Sequence, residues 1–90
     1  MKTNGGHGQL TGPFVANAEL MNLVNLDANK DVKYISKIGI QTKKDNYIKL
    51  NGVVFQIGEN GILEFENVEI TSIKFSQSED YNTIIDYYYE

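Results

Sequence analysis

Four sets of side chains in this 90-residue chain have residue types or spacings that chemistry could use. Asp27-Ala28-Asn29-Lys30-Asp31 repeats the D-x-N-x-D spacing of a calcium loop, in which alternate oxygen ligands converge on one ion. The pattern then breaks. The sixth position, where such a loop needs Gly, is Val32, and the twelfth, where it needs a bidentate Glu, is Ile38. A polar turn with Asx-type hydrogen bonds accounts for the same residues, so no metal is expected. His7 stands in Gly5-Gly6-His7-Gly8, and glycines cannot orient an imidazole as a catalytic base requires. With His7 set aside and no Cys in the chain, a nucleophilic triad has no base. Glu64 and Glu66, two residues apart on a strand, fall within the spacing of a glycosidase pair. An outward strand face, however, offers no cleft to raise one pKa or to hold a sugar. These residues predict a protein that is not an enzyme and carries no cofactor.

The fourth set is Tyr81, Tyr87, Tyr88 and Tyr89. Successive strand residues point to opposite faces, so Tyr88 cannot lie with Tyr87 and Tyr89, and at least one ring must be partly exposed. Two readings stand side by side. The rings can form a core strand whose phenols reach water. They can equally form a contact surface, because Tyr is enriched at protein interfaces; a carbohydrate would be the same idea with another partner.

Charge and length narrow the partners. The net charge is −4 and every basic residue is Lys, which is not the basic, Arg-containing footprint of a nucleic-acid binder. Residues 1–50 carry +3 and residues 51–90 carry −7. Such a split is either a solvated surface pattern or a means for the basic edge of one copy to meet the acidic edge of another, head to tail. No run approaches the ~18 apolar residues that a membrane span needs, and the start MKTNGGHGQ lacks a signal peptide's apolar stretch. Together with the absence of Cys, this predicts synthesis in a reducing cytoplasm and no membrane partner. Ninety residues make one domain with a thin core.

The elements that must position these side chains read as mostly β. Residues 1–13 hold four Gly, one Pro and few large apolar groups, which predicts a flexible arm over residues 1–15 ahead of a domain at residues 16–90. Leu20, Leu23 and Val24 recur at helical spacing with Asn17 as a candidate N-cap, so residues 14–26 read as a short helix or an irregular apolar segment. From residue 32 the period is two: Val32, Tyr34, Ile38 and Ile40 alternate with Lys33, Lys37 and Gly39. Asn51-Gly52, between Tyr47–Leu50 and Val53–Ile57, marks a type I′ hairpin. Gly58-Glu59-Asn60-Gly61 marks a second turn, followed by strands at Ile62–Phe65, Ile70–Phe75 and Thr83–Tyr89. About six strands at such short spacing predict an antiparallel β-sandwich or a partly open barrel.

Lys37–Thr42 (KIGIQT), Lys49–Phe75 (KLNGVVFQIGENGILEFENVEITSIKF) and Ile84–Glu90 (IIDYYYE) follow in an order that resembles a short module of virion-associated proteins from phages infecting Gram-positive bacteria. The resemblance covers residues 34–90 and carries no catalytic residue. It implies a structural subunit of a tail, baseplate, neck or capsid accessory assembly, made in the host cytoplasm, whose partners are other virion proteins and copies of itself. On that reading Leu10, Phe14 and Val15 would anchor the arm on a neighbouring subunit. A carbohydrate- or surface-binding adhesion module and a small inhibitor of a host protein are the alternatives.

Overall fold

The computed structural model describes residues 5–79 and 81–90. Among them, the chain forms β1 (Gly6–Thr11), α1 (Met21–Ala28), β2 (Ile35–Gln41), β3 (Asn46–Leu50), β4 (Val53–Ile57), β5 (Ile62–Ile70), β6 (Ile73–Phe75) and β7 (Ile84–Tyr89). The strands make two antiparallel sheets, one of four strands in the order β1-β7-β2-β5 and one of three in the order β4-β3-β6. The fold is therefore mostly β and sandwich-like, and it is not a closed barrel.

The inward faces follow from the sequence period. Ile38, Ile40, Ile85 and Tyr87 of one sheet meet Ile48, Leu50, Ile57, Ile73 and Phe75 of the other, all buried. Each such side chain contributes about 1.5–3 kcal/mol on leaving water, and this burial holds the sheets together. Asn51 and Gly52 have φ of 53° and 81°, the paired left-handed geometry that a type I′ turn needs. Asn51 does more than turn the chain. Its Oδ1 accepts from the Thr71 and Ser72 amides at 2.8 and 3.2 Å, and its Nδ2 donates to the Glu69 carbonyl at 2.7 Å. The turn at residues 58–61 is a corner rather than a hairpin, because β4 and β5 belong to different sheets.

Several expectations need correction. The arm expected over residues 1–15 is, from residue 6, strand β1 paired along its length with β7; residues 1–4 lie outside the described residues. Leu10 and Phe14 are buried in the chain's own core, with the Phe14 ring stacked on Phe75 at 5.7 Å, so they cannot anchor a neighbour. Pairing with β7 satisfies the backbone groups of residues 6–11 that face it, β1 being an edge strand, while it buries Leu10, and both gains offset the entropy of ordering a glycine-rich segment. Gly8 is needed for a close approach rather than for flexibility, since a Cβ there would stand 2.5 Å from the Tyr87 hydroxyl.

The helix starts at Met21, with Leu20 at the N-cap position and Asn17 outside it in a left-handed conformation. Residues 17–20 instead run along β6: the Asn17 amide donates to the Phe75 carbonyl and the Leu20 amide to the Ile73 carbonyl, both at 2.8 Å. In β2 it is Ile35, not Tyr34, that is buried with Ile38 and Ile40. A register shift between Ile35 and Lys37 inserts Ser36 as a bulge and turns Ile35 inward, while Val32, ahead of the strand, still packs against the core.

Candidate interaction surfaces

The outward face of the four-stranded sheet is organised in rows set by the register. His7, Tyr88, Lys37 and Glu66 cross the sheet in one row, and Gln9, Asp86, Gly39 and Glu64 in the next. Along the first row the His7 and Tyr88 rings lie 5.4 Å apart, the Lys37 ammonium sits 5.5 Å from the Tyr88 centroid, and Lys37 approaches Glu66 at 3.8 Å. That ion pair is well exposed and adds little stability. In the second row Gln9 Nε2 donates to Asp86 Oδ1 at 2.8 Å. Asp86, Glu64 and Glu66 against Lys37 make this face acidic. Between the carboxylates of Asp86 and Glu64, Gly39 leaves a dent of about 150 Å³, bordered by Lys37, Gln41, Ile62 and Tyr88.

The outward face of the three-stranded sheet has the opposite sign. Val54, Lys49 and Lys74 form one row, with Gln56 and Tyr47 beside them, and these outward positions include no carboxylate. Val54 and Tyr47 are exposed. No other element among the described residues covers either outward face.

The third surface is a groove where the sandwich is open. β4 and β5 each lie at the edge of a sheet; of their inward side chains Ile57 and Ile70 are buried, but Phe55, Leu63 and Phe65 are only partly covered and Val53 is exposed. Phe55 and Phe65 meet there with centroids 5.0 Å apart, and Leu50, Val53, Val68 and Ile70 complete an apolar groove of about 280 Å³. Val53, although it faces inward by register, is 56% exposed.

The tyrosines divide among different roles. Tyr87 is fully buried and donates to the Asp27 carboxylate. Burial first, and then that hydrogen bond, hold its phenol well above the ordinary value. Tyr89 faces inward beside Tyr87, with the Lys30 ammonium 5.4 Å from its ring centroid. Tyr81 clips the loop before β3, accepting from Thr42 Oγ1 at 3.1 Å and donating to the Lys44 carbonyl at 3.3 Å. Only Tyr88 of the four is widely exposed, and Val15, the remaining expected anchor, is exposed without the buried Leu10 and Phe14 beside it. The sequence reading missed Tyr47, Val53 and Val54. Their signal was an aromatic and two valines around Asn51-Gly52, in a hairpin whose outward neighbours are Lys49 and Gln56.

Asp27–Asp31 forms the end of α1 rather than a loop around an ion: Asn29 is the left-handed C-cap and Asp27 is engaged by Tyr87. Among the described residues no group of three or more His, Asp or Glu side chains could hold a metal, and no helix is long and apolar enough to cross a membrane. Glu79 is buried with Asn46, Thr42 and Thr83; its Oε2 accepts from Thr83 Oγ1 at 2.6 Å, and its Oε1 has no hydrogen-bond partner among the described residues. Comparison with protein-family models, with curated proteins and with solved structures finds no match.

Proposed function

We propose that this chain is a non-enzymatic structural subunit of a phage virion that binds neighbouring protein subunits, its own copies included, through its sheet faces and edges. The observation that carries the reading is the open groove between β4 and β5. There, inward-facing apolar side chains reach solvent between two strand edges, a surface suited to covering by another protein. On the outward faces of the two sheets, the exposed Tyr47, Val54, Ile62 and Tyr88 add further apolar contact surface. The resemblance of residues 34–90 to a module of virion-associated proteins supports the setting. Surroundings at Tyr88 favour protein over sugar, because His7 and Lys37 already pack against the ring that a sugar would stack on.

Mass spectrometry of virions purified through a density gradient tests the proposal. The chain should travel with the major structural protein at a constant ratio across the particle peak. Its absence from the peak, or a ratio that falls on further purification, would overturn the assignment.

A further inference from the structure

We infer that the dent over Gly39 receives the ammonium group of Lys49 from a second copy of the chain, so that the acidic face of one sandwich stacks on the basic face of the next. This rests on the assembly reading above and names its contact.

Gly39 has no backbone reason to be glycine. It sits inside β2, the only glycine with a positive φ among the described residues is Gly52, and a Cβ added at Gly39 would meet only Glu64 Cγ, at 3.8 Å. A glycine inside a strand weakens it, and one that is not needed for the turn or for close packing commonly marks a place where another group approaches. What the missing side chain leaves is a dent with Asp86 on one side and Glu64 on the other. Two carboxylates flanking an open floor suit a single cation on a long stem.

The chain itself carries that cation on its opposite face. Lys49 is exposed on the central strand of the three-stranded sheet, between Val54 and Lys74, on a face whose outward strand positions include no carboxylate. Around the charges, each face also offers an aromatic and an aliphatic side chain: Tyr88 and Ile62 border the dent, and Tyr47 and Val54 lie near Lys49. Charge complementarity thus sets the pairing and the register, while apolar contact surrounds it. Because the two surfaces differ, the contact is heterologous and repeats from copy to copy, closing into a ring or continuing as a stack.

Sedimentation velocity of the full chain at low and high salt, with four variants, tests this. Lys49→Glu and Glu64→Lys should each weaken self-association about tenfold or more. The Lys49→Glu/Glu64→Lys double variant should recover it, as should a 1:1 mixture of the two single variants. Gly39→Val changes no charge and fills the dent; it should abolish association while melting at or above the wild-type temperature. Association of the wild type should fall as salt rises. Single variants that associate like wild type, a double variant that stays monomeric, or a Gly39→Val chain that still assembles would each overturn the inference. A wild-type chain that is monomeric yet present in purified virions would overturn the stacking and leave the structural-subunit reading in place. Absence from virions would overturn that reading instead.

Discussion

The hydroxyl of Tyr87 donates a hydrogen bond to the carboxylate of Asp27, sixty residues earlier in the chain. It ties the end of α1 to the inward face of β7, beneath which Gly8 of β1 lies. Tyr87→Phe keeps the ring and removes the bond. Since Asp27 is exposed and water can replace the phenol, the cost should be about 0.5–1.5 kcal/mol by urea denaturation.

The same pair predicts a pH dependence. Burial and then the Asp27 carboxylate favour the neutral phenol, so its folded-state pKa lies above the value of ~10 in the unfolded chain. The stabilisation is therefore complete below about pH 10 and is lost as pH rises beyond it. Urea midpoints followed from about pH 8 to about pH 12 should fall less steeply for Tyr87→Phe than for the wild type. Parallel curves would show that this phenol does not titrate with unfolding.

Two glycines should respond oppositely to alanine. Gly8→Ala places a methyl group 2.5 Å from the Tyr87 hydroxyl and should cost about 1–3 kcal/mol, because the phenol cannot move without losing Asp27. Gly39→Ala makes only an ordinary contact, with Glu64 Cγ at 3.8 Å, and should be neutral or gain about 0.5–1 kcal/mol. Thermal melts of the pair measure the difference directly.

Asn51 separates turn geometry from pinning. Asn51→Gly retains the left-handed backbone but deletes the bonds to Glu69, Thr71 and Ser72, for an expected loss of about 1–3 kcal/mol. Asn51→Asp should lose more, since it turns a carboxylate oxygen toward the Glu69 carbonyl where an N–H now donates. An aspartate variant at least as stable as the glycine variant would contradict this account.

Deleting residues 1–13 removes β1 and strips Leu10 from the core. Leu10→Ala alone should cost about 2–5 kcal/mol, and the deletion should cost more. A truncated chain with the wild-type melting temperature would restore the idea of an independent arm.

β3, β4 and β7 were legible because each carries a local signal, whereas the strands expected at Ile62–Phe65 and Ile70–Phe75 fall differently: β5 runs on to Ile70, and the chain changes sheet before the short β6 at Ile73–Phe75. Asn51-Gly52 announces its hairpin, and Ile85 and Tyr87 alternate with Asp86 and Tyr88 as their burial then shows. β1 was not legible, because Gly6, His7, Gly8 and Gln9 have no strand propensity, and only pairing with β7 at the far end of the chain orders them. The Ser36 bulge escaped for a related reason: a parity slip is decided by neighbours on both sides of β2, which no window of sequence contains. The charge split was legible by halves of the chain. The structure redistributes it onto two faces, since Lys74 joins Lys49 while Lys37 sits among the acids.

The placement of β7 between β1 and β2 has a consequence for synthesis. While the ribosome is still translating the residues before 84, β2 and β5 can already zip together, but β1 has no partner and waits as an unpaired, Gly-rich tail. The insertion of β7 then completes two ladders at once and lets Tyr87 reach Asp27. A nascent chain stalled just short of β7 would therefore leave Ile38, Ile40 and Leu10 without their β7 neighbours, so emergence of β7, rather than of the first strands, sets when this fold becomes safe from aggregation.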